Sequence, residues 1–209
     1  PGIILANSVN KYLNFYGVIC GENNFIFTNN DSAYETALSL FEKGISVKII
    51  DIRKKTNSKI VKQSEKLGIH IYWNSTVTNT FGYRKINSIE IMSLSEDGSN
   101  VIGEKIKVSC DCLAVSGGWT PMVHMHTQSG GKLNFRETDQ VFLPEESNSY
   151  HISVGSSNGD FELDELIKNT NEKIKTLFNL EESEFEKTNV SCSKELDKKN
   201  IWLLPNKIS

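Results

Sequence analysis

Hydrophobic positions along this chain switch between helical and strand periodicity. Leu5, Val9, Tyr12, Leu13 and Tyr16 recur at helical spacing, and Gly17 follows as a stop. That spacing predicts an amphipathic helix packed against another part of the fold. Residues 24–28 are a short apolar run and read as a buried strand. Ser32-Ala33-Tyr34-Glu35 fits a capping box, in which side chains satisfy the unpaired amides of a helix start. Tyr34, Ala37, Leu38 and Phe41 then mark one helical face, and Gly44 closes it. Residues 46–51 are a second β-rich run ending in an acid. Strand, helix and strand in this order predict a βαβ unit and a parallel sheet.

The pattern repeats once. Ile60, Val61 and Leu67 mark a second helix ended by Gly68, and residues 69–73 a third strand. Residues 86–94 and 101–108 alternate as strands about the hairpin turn Glu96-Asp97-Gly98-Ser99. Residues 112–116 are one more short strand, which runs into loop punctuation at Gly117 and Gly118. From Pro121 to Pro144 the chain reads as loop. Residues 150–154 read as a short buried strand. Gly155-Ser156-Ser157-Asn158-Gly159-Asp160 is a turn that opens a helix at Phe161, marked by Leu163, Leu166, Ile167, Ile174, Leu177 and Phe178. Residues 180–200 are charged, and Ile201-Trp202-Leu203-Leu204-Pro205 is an apolar stub that needs a partner surface.

A chain of 209 residues, 38% of them hydrophobic, suffices for one large domain or one and a half smaller ones. The net charge of −3 carries no basic stripe, which disfavours nucleic acid as a partner. Lys198-Lys199 reads as solvated surface. No apolar run approaches the roughly 18 residues of a membrane span, and no signal peptide is evident, so no membrane association is expected. Cys20, Cys110, Cys112 and Cys192 form no C-x-x-C pair, so neither a redox-active dithiol nor a zinc site is expected. Cys110 and Cys112, two positions apart, are expected on one side of a strand as reduced core thiols. Reduced thiols point to a cytoplasmic setting. The start at Pro1-Gly2 suits a piece of a longer chain.

The βαβ unit invites comparison with the dinucleotide fingerprint G-x-G-x-x-G. Its first glycine makes the turn, its second lets the backbone reach the pyrophosphate, and its third lets helix and strand pack closely. Thr28, Asn30 and Ala33 stand at those positions here. Alanine packs closely enough. Thr28 is β-branched and suits the turn poorly, and Asn30 projects a side chain into the phosphate space. The fold is therefore expected without a ligand at this loop. Asp51 stands at the ribose-binding position and is expected as a strand-end surface acid. The Gly155 turn is a second candidate, because a helix start presents unpaired amides and partial positive charge to anions. His124 and His126 have the spacing of two metal ligands on a strand face. No acid or cysteine completes the set, so they read as solvated loop histidines, and no metal site is expected. No Ser/His/Asp triad stands out, and no catalytic residue is assigned.

Longer strings are more specific. Leu113-Ala114-Val115-Ser116-Gly117-Gly118-Trp119-Thr120-Pro121, together with Gln128-Ser129-Gly130-Gly131-Lys132-Leu133, closely resembles the alpha subunits of heterotetrameric sarcosine oxidases. Phe27-Thr28-Asn29-Asn30-Asp31-Ser32-Ala33-Tyr34 is similar to that family too, as are Pro1-Gly2 and the helix ending Tyr12-Leu13-Asn14-Phe15-Tyr16-Gly17. The resemblance runs to Leu166. It implies an α/β fold: a Rossmann-like three-layer dinucleotide-binding domain with an antiparallel meander, plus part of a second such domain. Residues 1–19 would be a helix of the first, NAD-binding domain. Residues 20–120 would be a degenerate second dinucleotide fold, 121–180 a return segment completing the NAD domain, and 181–209 a charged tail and linker.

The resemblance also implies cofactors and partners. NAD would bind the intact alpha subunit. FAD would sit on a beta subunit that oxidises sarcosine, FMN at the contact between those subunits, and tetrahydrofolate in a domain beyond Ser209. The flavin-bearing beta subunit and smaller subunits would be the partners. By motif position the NAD contacts of this chain fall on Gly155, Ser156, Phe161 and Leu163. The residue types depart from the family's small residue, leucine and threonine, so backbone contacts are the ones expected to persist. This chain alone is expected to lack oxidase activity and to bind NAD weakly or not at all. The alternatives are a subunit of a proline or opine dehydrogenase and a ligand-free interaction module. A thioredoxin-reductase-like enzyme is disfavoured by the missing C-x-x-C.

Overall fold

A computed structural model describes residues 1–138, 140–145, 151–180 and 204–205. They divide into two compact units, one of residues 1–118 together with Leu204 and Pro205, and one of the described residues from Trp119 to Leu180. The first unit contains β1 (Ile3–Leu5), α1 (Ala6–Tyr16), β2 (Asn23–Thr28), α2 (Ser32–Glu42), β3 (Ser46–Asp51), α3 (Lys59–Lys66) and β4 (His70–Tyr72). β5 (Ser75–Gly82), β6 (Ile86–Leu94), β7 (Val101–Ser109) and β8 (Cys112–Ser116) follow. Five strands form a sheet in the order β1-β8-β2-β3-β4, and every pairing is parallel. β5, β6 and β7 form a separate antiparallel meander.

The parallel sheet is buried on both faces because alternate side chains feed two cores. Ile26, Val47, Ile49, Cys112 and Ala114 join Ala6, Val9, Leu13 and Ala37 of the helices. Phe25, Ile50 and Leu113 join Ile86, Ile89 and Ile91 of the meander. The result is three layers, helices on sheet on meander, as the α/β Rossmann-like expectation requires.

Several elements differ in detail from the sequence expectations. Residues 1–19 are expected as a helix of the first, NAD-binding domain; here Ile3–Leu5 pair with β8, and Ala6, Val9 and Leu13 bury themselves in the same core as α2. Thr36 Oγ1 of α2 donates to the Ala6 carbonyl, which ties the two helices together. The helix cap falls on Asp31, one residue before the expected Ser32. Asn30 Oδ1 accepts from the Ser32 amide and hydroxyl, so an asparagine two residues earlier organises the helix start. Cys110 and Cys112 are buried and free, but they enter different cores. β8 begins only at Cys112, so strand alternation does not relate the two thiols. β5 escapes a hydrophobic reading because Thr76, Thr78 and Thr80 give it β propensity without apolar character.

The second unit contains α4 (His124–Gln128), β9 (Leu133–Arg136), β10 (Val141–Pro144), a 3-10 turn at Gly155–Asn158 and α5 (Leu163–Phe178). β9 and β10 pair as an antiparallel hairpin where loop was expected. Elements of four or five residues are too short for periodicity to register. Residues 151–154 are irregular rather than a strand, and α5 begins at Leu163 rather than Phe161. Tyr150 and the charged stretch 181–200 lie outside the described residues, as do Ile201, Trp202 and Leu203 of the apolar stub; Leu204 and Pro205 are irregular.

Two outcomes test this architecture. Ile26→Ala, at a fully buried position of the central strand, should lower unfolding free energy by about 3 kcal/mol in urea denaturation. An unchanged midpoint would show that the two-core reading is wrong. Burial pushes the Cys110 thiol up to about 11 and the Cys112 thiol up to about 12. Raised values leave fewer thiolates at a given pH, here about one in a thousand or less at roughly pH 8. Iodoacetamide should therefore label the half-buried Cys20 ahead of Cys110 and Cys112 in the folded chain, as read by mass spectrometry, and these three alike in urea. Equal labelling in the folded chain contradicts the assignment.

Candidate functional site

In open α/β sheets, ligands bind where the strand order reverses, outside the carboxyl ends of the strands. Here that crevice lies between β2 and β8. Asn29 Nδ2 donates to the Gly117 carbonyl at 2.9 Å. Asn30 Nδ2 donates to Ser116 Oγ at 3.1 Å and to Asn29 Oδ1 at 2.7 Å. Thr28 Oγ1 donates to the Asn30 carbonyl at 2.9 Å and accepts from the Asn30 amide at 3.1 Å. The three residues that replace the fingerprint's glycines and their neighbour are all buried. The Asn29 and Asn30 amides stitch the two strand ends together in the place a pyrophosphate would need, and the Thr28 hydroxyl braces Asn30.

Behind this seam lies a buried ionic cluster. Asp51 is not the surface acid expected; it is 0% exposed, and Arg53, Asp31 and Tyr34 beside it are buried as well. Asp51 Oδ2 accepts from Tyr34 Oη and from Arg53 Nη2, both at 2.7 Å. Asp51 Oδ1 accepts from the Arg53 amide at 2.9 Å and from Arg53 Nε at 3.0 Å. Arg53 Nη1 pairs with Asp31 Oδ1 at 2.8 Å. Burial, reinforced by the Asp51 carboxylate, holds the Tyr34 phenol well above its ordinary value and keeps it a donor. Burial works against the Arg53 charge, but the hydrogen bonds and charges of Asp51 and Asp31 more than offset it, and its value lies above that of ordinary arginine. A ribose-binding carboxylate needs free lone pairs. Those of Asp51 are taken by the chain itself, so these residues do not fit a dinucleotide at this loop. Sequence reasoning missed Arg53 and Tyr34 as a pair; the available signal was an arginine two residues after the strand-end acid.

In the second unit, Gly155, Ser156, Phe161 and Leu163 fall on one turn and the helix start after it. Gly155 is buried with φ 65°, a left-handed conformation that favours glycine, and the Leu166 side chain packs over it. The turn is closed by the Gly159 amide on the Ser156 carbonyl and the Asp160 amide on the Gly155 carbonyl. Arg136 Nη2 donates to the Gly159 carbonyl at 3.2 Å. Ser156 and Leu163 are exposed and Phe161 is half-buried. The helix start is acidic: Asp160 and Glu162 precede it, and Asp164 and Glu165 occupy its first turn. These carboxylates already complement the partial positive charge there and oppose a phosphate. They favour a donor instead. Asp160 Oδ1 accepts from Asn169 Nδ2 at 3.0 Å, while its buried Oδ2 has no hydrogen-bond partner among the described residues. Asp160 was not singled out from sequence, because its solitary carboxylate after an Asn-Gly turn carries no motif.

His126 also departs from expectation. It lies in α4, not on a strand, and it is buried rather than solvated. It and His151 face a cleft of about 690 Å³ bordered by Asn158, Asn169, Glu172 and Lys173. Among the described residues no cluster of three or more histidines, cysteines or acids could hold a metal ion, and no helix is long and apolar enough to cross a membrane.

Arg53→Met leaves two buried carboxylates without their cation and should cost about 3–5 kcal/mol of stability in urea denaturation. Arg53→Lys should recover only part of that loss, because an ammonium cannot bond both carboxylates in one plane. Wild-type stability in Arg53→Met would mean the cluster does not hold the loop.

No family model matches the chain. It is 34% identical over 164 residues to sarcosine oxidase subunit alpha of Corynebacterium sp. (strain P-1), which covers 78% of this chain. The chain spans 17% of the length of that relative. Among solved structures it is similar to the oxidoreductase FprA of Mycobacterium tuberculosis, with TM-score 0.57 and 16% identity over 86% of this chain and 58% of that one. It is also similar to L-proline dehydrogenase from P. horikoshii, with TM-score 0.52 and 17% identity over 87% of this chain and 31% of that one. These structural likenesses speak to the fold alone, and the fold is Rossmann-like α/β. Over the aligned stretch, the chain belongs to the family of sarcosine oxidase alpha subunits.

Proposed function

We propose that this chain is the scaffold and a partial NAD site of an oxidoreductase complex that oxidatively demethylates sarcosine. The observation that carries this reading is the closed β2–α2 loop. With Asp51 saturated by Tyr34 and Arg53, the first unit keeps a dinucleotide fold as architecture, and cofactor contact shifts to the second unit. There Gly155 and Ser156 offer backbone groups, Phe161 and Leu163 apolar surface, and Asp160 Oδ2 an acceptor for a ribose hydroxyl. The acids around the α5 start fit hydroxyl donors and not phosphate, so the pyrophosphate belongs with groups outside this segment. NAD bound in that way would supply binding energy and orientation.

The rest of the reading follows the family. FAD and FMN, the flavin-bearing beta subunit and the smaller subunits complete the complex, and tetrahydrofolate belongs to a domain this segment does not include. The matched relatives are named for sarcosine, which favours that amine over proline or an opine.

Titration calorimetry of NAD into this chain should give no saturable heat in the micromolar range, a regime that corresponds to about −8 kcal/mol. Co-expression with the beta subunit should retain the chain on an affinity-tagged partner. Micromolar NAD binding by the chain alone would overturn the partial-site reading. Retention by the partner with no NAD dependence at any stage would favour a ligand-free interaction module.

A further inference from the structure

Of the five hydrophobic positions that mark α1 in the sequence, this unit buries only two. Val9 and Leu13 lie in the core shared with α2, while Leu5, Tyr12 and Tyr16 are exposed. With 3.6 residues per turn, Ala6, Val9 and Leu13 fall within an arc of about 60° that faces the core. Tyr16, Tyr12 and Phe15 extend that apolar arc on one side by about another 120°, interrupted only by the half-buried Ser8. A helix packed on one surface needs an arc of about 100°, and α1 carries nearly twice that. Asn7, Asn10, Lys11 and Asn14 take the remaining, polar side.

The uncovered side is organised. The Tyr12 and Tyr16 rings lie 5.9 Å apart, and Phe15 meets Tyr16 edge-on at 5.0 Å. The Val18 amide donates to the Tyr12 carbonyl at 2.9 Å, which folds Val18 back beside the helix end. Ile3 and Leu5, on one side of β1, continue the patch before the helix. These six side chains are between 44% and 77% exposed, Phe15 the most. A buried aromatic residue removes about 150–250 Å² from water, so together they present on the order of 700 Å² of largely apolar surface. A standard interface takes about 800 Å² from each partner. Charge narrows the choice of partner. The chain has 26 acidic residues and a net charge of −3, so two copies carry like charge, yet no acid lies within residues 1–19. The one lysine there, Lys11, stands on the polar side.

We propose that two copies of this chain pack their α1 helices together about a two-fold axis, with Tyr12, Phe15 and Tyr16 at the centre and Lys11 at the rim. A two-fold contact sets one patch against itself. The patch must then be apolar and free of like charge, and the centres of homodimer interfaces have that composition, rich in aromatic residues and poor in charged ones. A partner recognised by charge finds no ion to pair with at the centre of this patch. Two-fold closure also stops association at the dimer, because each copy uses its only such patch.

The inference does not rest on the proposed function, and its test reads neither NAD nor sarcosine. Sedimentation of the full chain from about 1 to about 200 μM should show the mass doubling and going no further, with a dissociation constant in the micromolar range. Phe15→Lys removes a side chain that is 77% exposed and leaves the core alone. It should stay at the monomer mass throughout, a weakening of at least about 30-fold. Tyr83→Lys, at a 97% exposed position after β5, should dimerise like the wild type. Should Phe15→Lys not fold, hydrogen exchange on the wild type decides alone: protection of residues 6–16 should rise at least about threefold between the dilute and concentrated ends. A monomer at every concentration overturns the proposal, whether or not a flavin-bearing subunit then covers α1. So does mass growth beyond the dimer, a folded Phe15→Lys that dimerises like the wild type, an equal loss in Tyr83→Lys, or α1 protection that ignores concentration.

Discussion

The carboxylate of Asp51 carries the organisation of the first unit. An ionised acid with no solvent exposure costs several kcal/mol unless its lone pairs are filled, and Tyr34, the Arg53 amide and the Arg53 guanidinium fill them. Those donors come from α2 and from the chain just past β3. Tyr34 can reach Asp51 only if α2 starts close behind β2, and it does so at Ser32. Arg53 in turn reaches Asp31, in the loop between β2 and α2. The cluster therefore holds the strand-to-helix connection at its present length and position. Glycine is not needed there, because no ligand backbone contact has to be made. Thr28 is free to use its hydroxyl on the Asn30 backbone, and Asn29 and Asn30 to use their side chains on Gly117 and Ser116 at the end of β8.

The layered fold is legible in the sequence because burial on both faces of the central strands is written in alternating residues. Ile26 and Ile49 face one core and Phe25 and Ile50 the other, and each follows from strand alternation once the runs are found. Gly17, Gly44 and Gly68 end three helices in the same legible way. What is not legible depends on contacts distant in sequence. The burial of Asp51 needs Tyr34, 17 residues earlier on another element. The burial of His126 needs a flat glycine at Gly131 and a carbonyl at Lys132, neither of which a spacing rule anticipates. β9 and β10 are missed because four residues hold too few alternations to stand out.

The second unit obeys weaker constraints. α5 has no buried residue among those described, and Leu163, Leu177 and Phe178 on it are exposed. An amphipathic helix takes most of its stability from the surface that covers its apolar side. Its order here comes from local devices instead: the Gly155 turn beneath Leu166, Arg136 on the Gly159 carbonyl, and Lys173 on the Ser153 carbonyl. Such hydrogen bonds are individually worth about 0.5–3 kcal/mol, against about 3–5 kcal/mol for breaking a buried ion cluster, so this turn is the more deformable of the two candidate positions.

The two candidate positions thus differ in what remains unsatisfied. At the sheet crevice every lone pair of the strand-end acid is occupied, and a ligand would have to displace a guanidinium that is paired with two carboxylates. That displacement costs more than a pair of ribose hydrogen bonds returns, since each such bond is worth about 0.5–1.5 kcal/mol net, rising to about 3 kcal/mol with a charged acceptor. At the Gly155 turn, Asp160 keeps one buried oxygen without a donor among the described residues. A buried acceptor left open is unfavourable until something donates to it, so a hydroxyl arriving there gains the bond and removes the penalty together. The energetic gradient runs from the crevice, which resembles a nucleotide site in fold, toward the turn, which resembles one only in what it lacks.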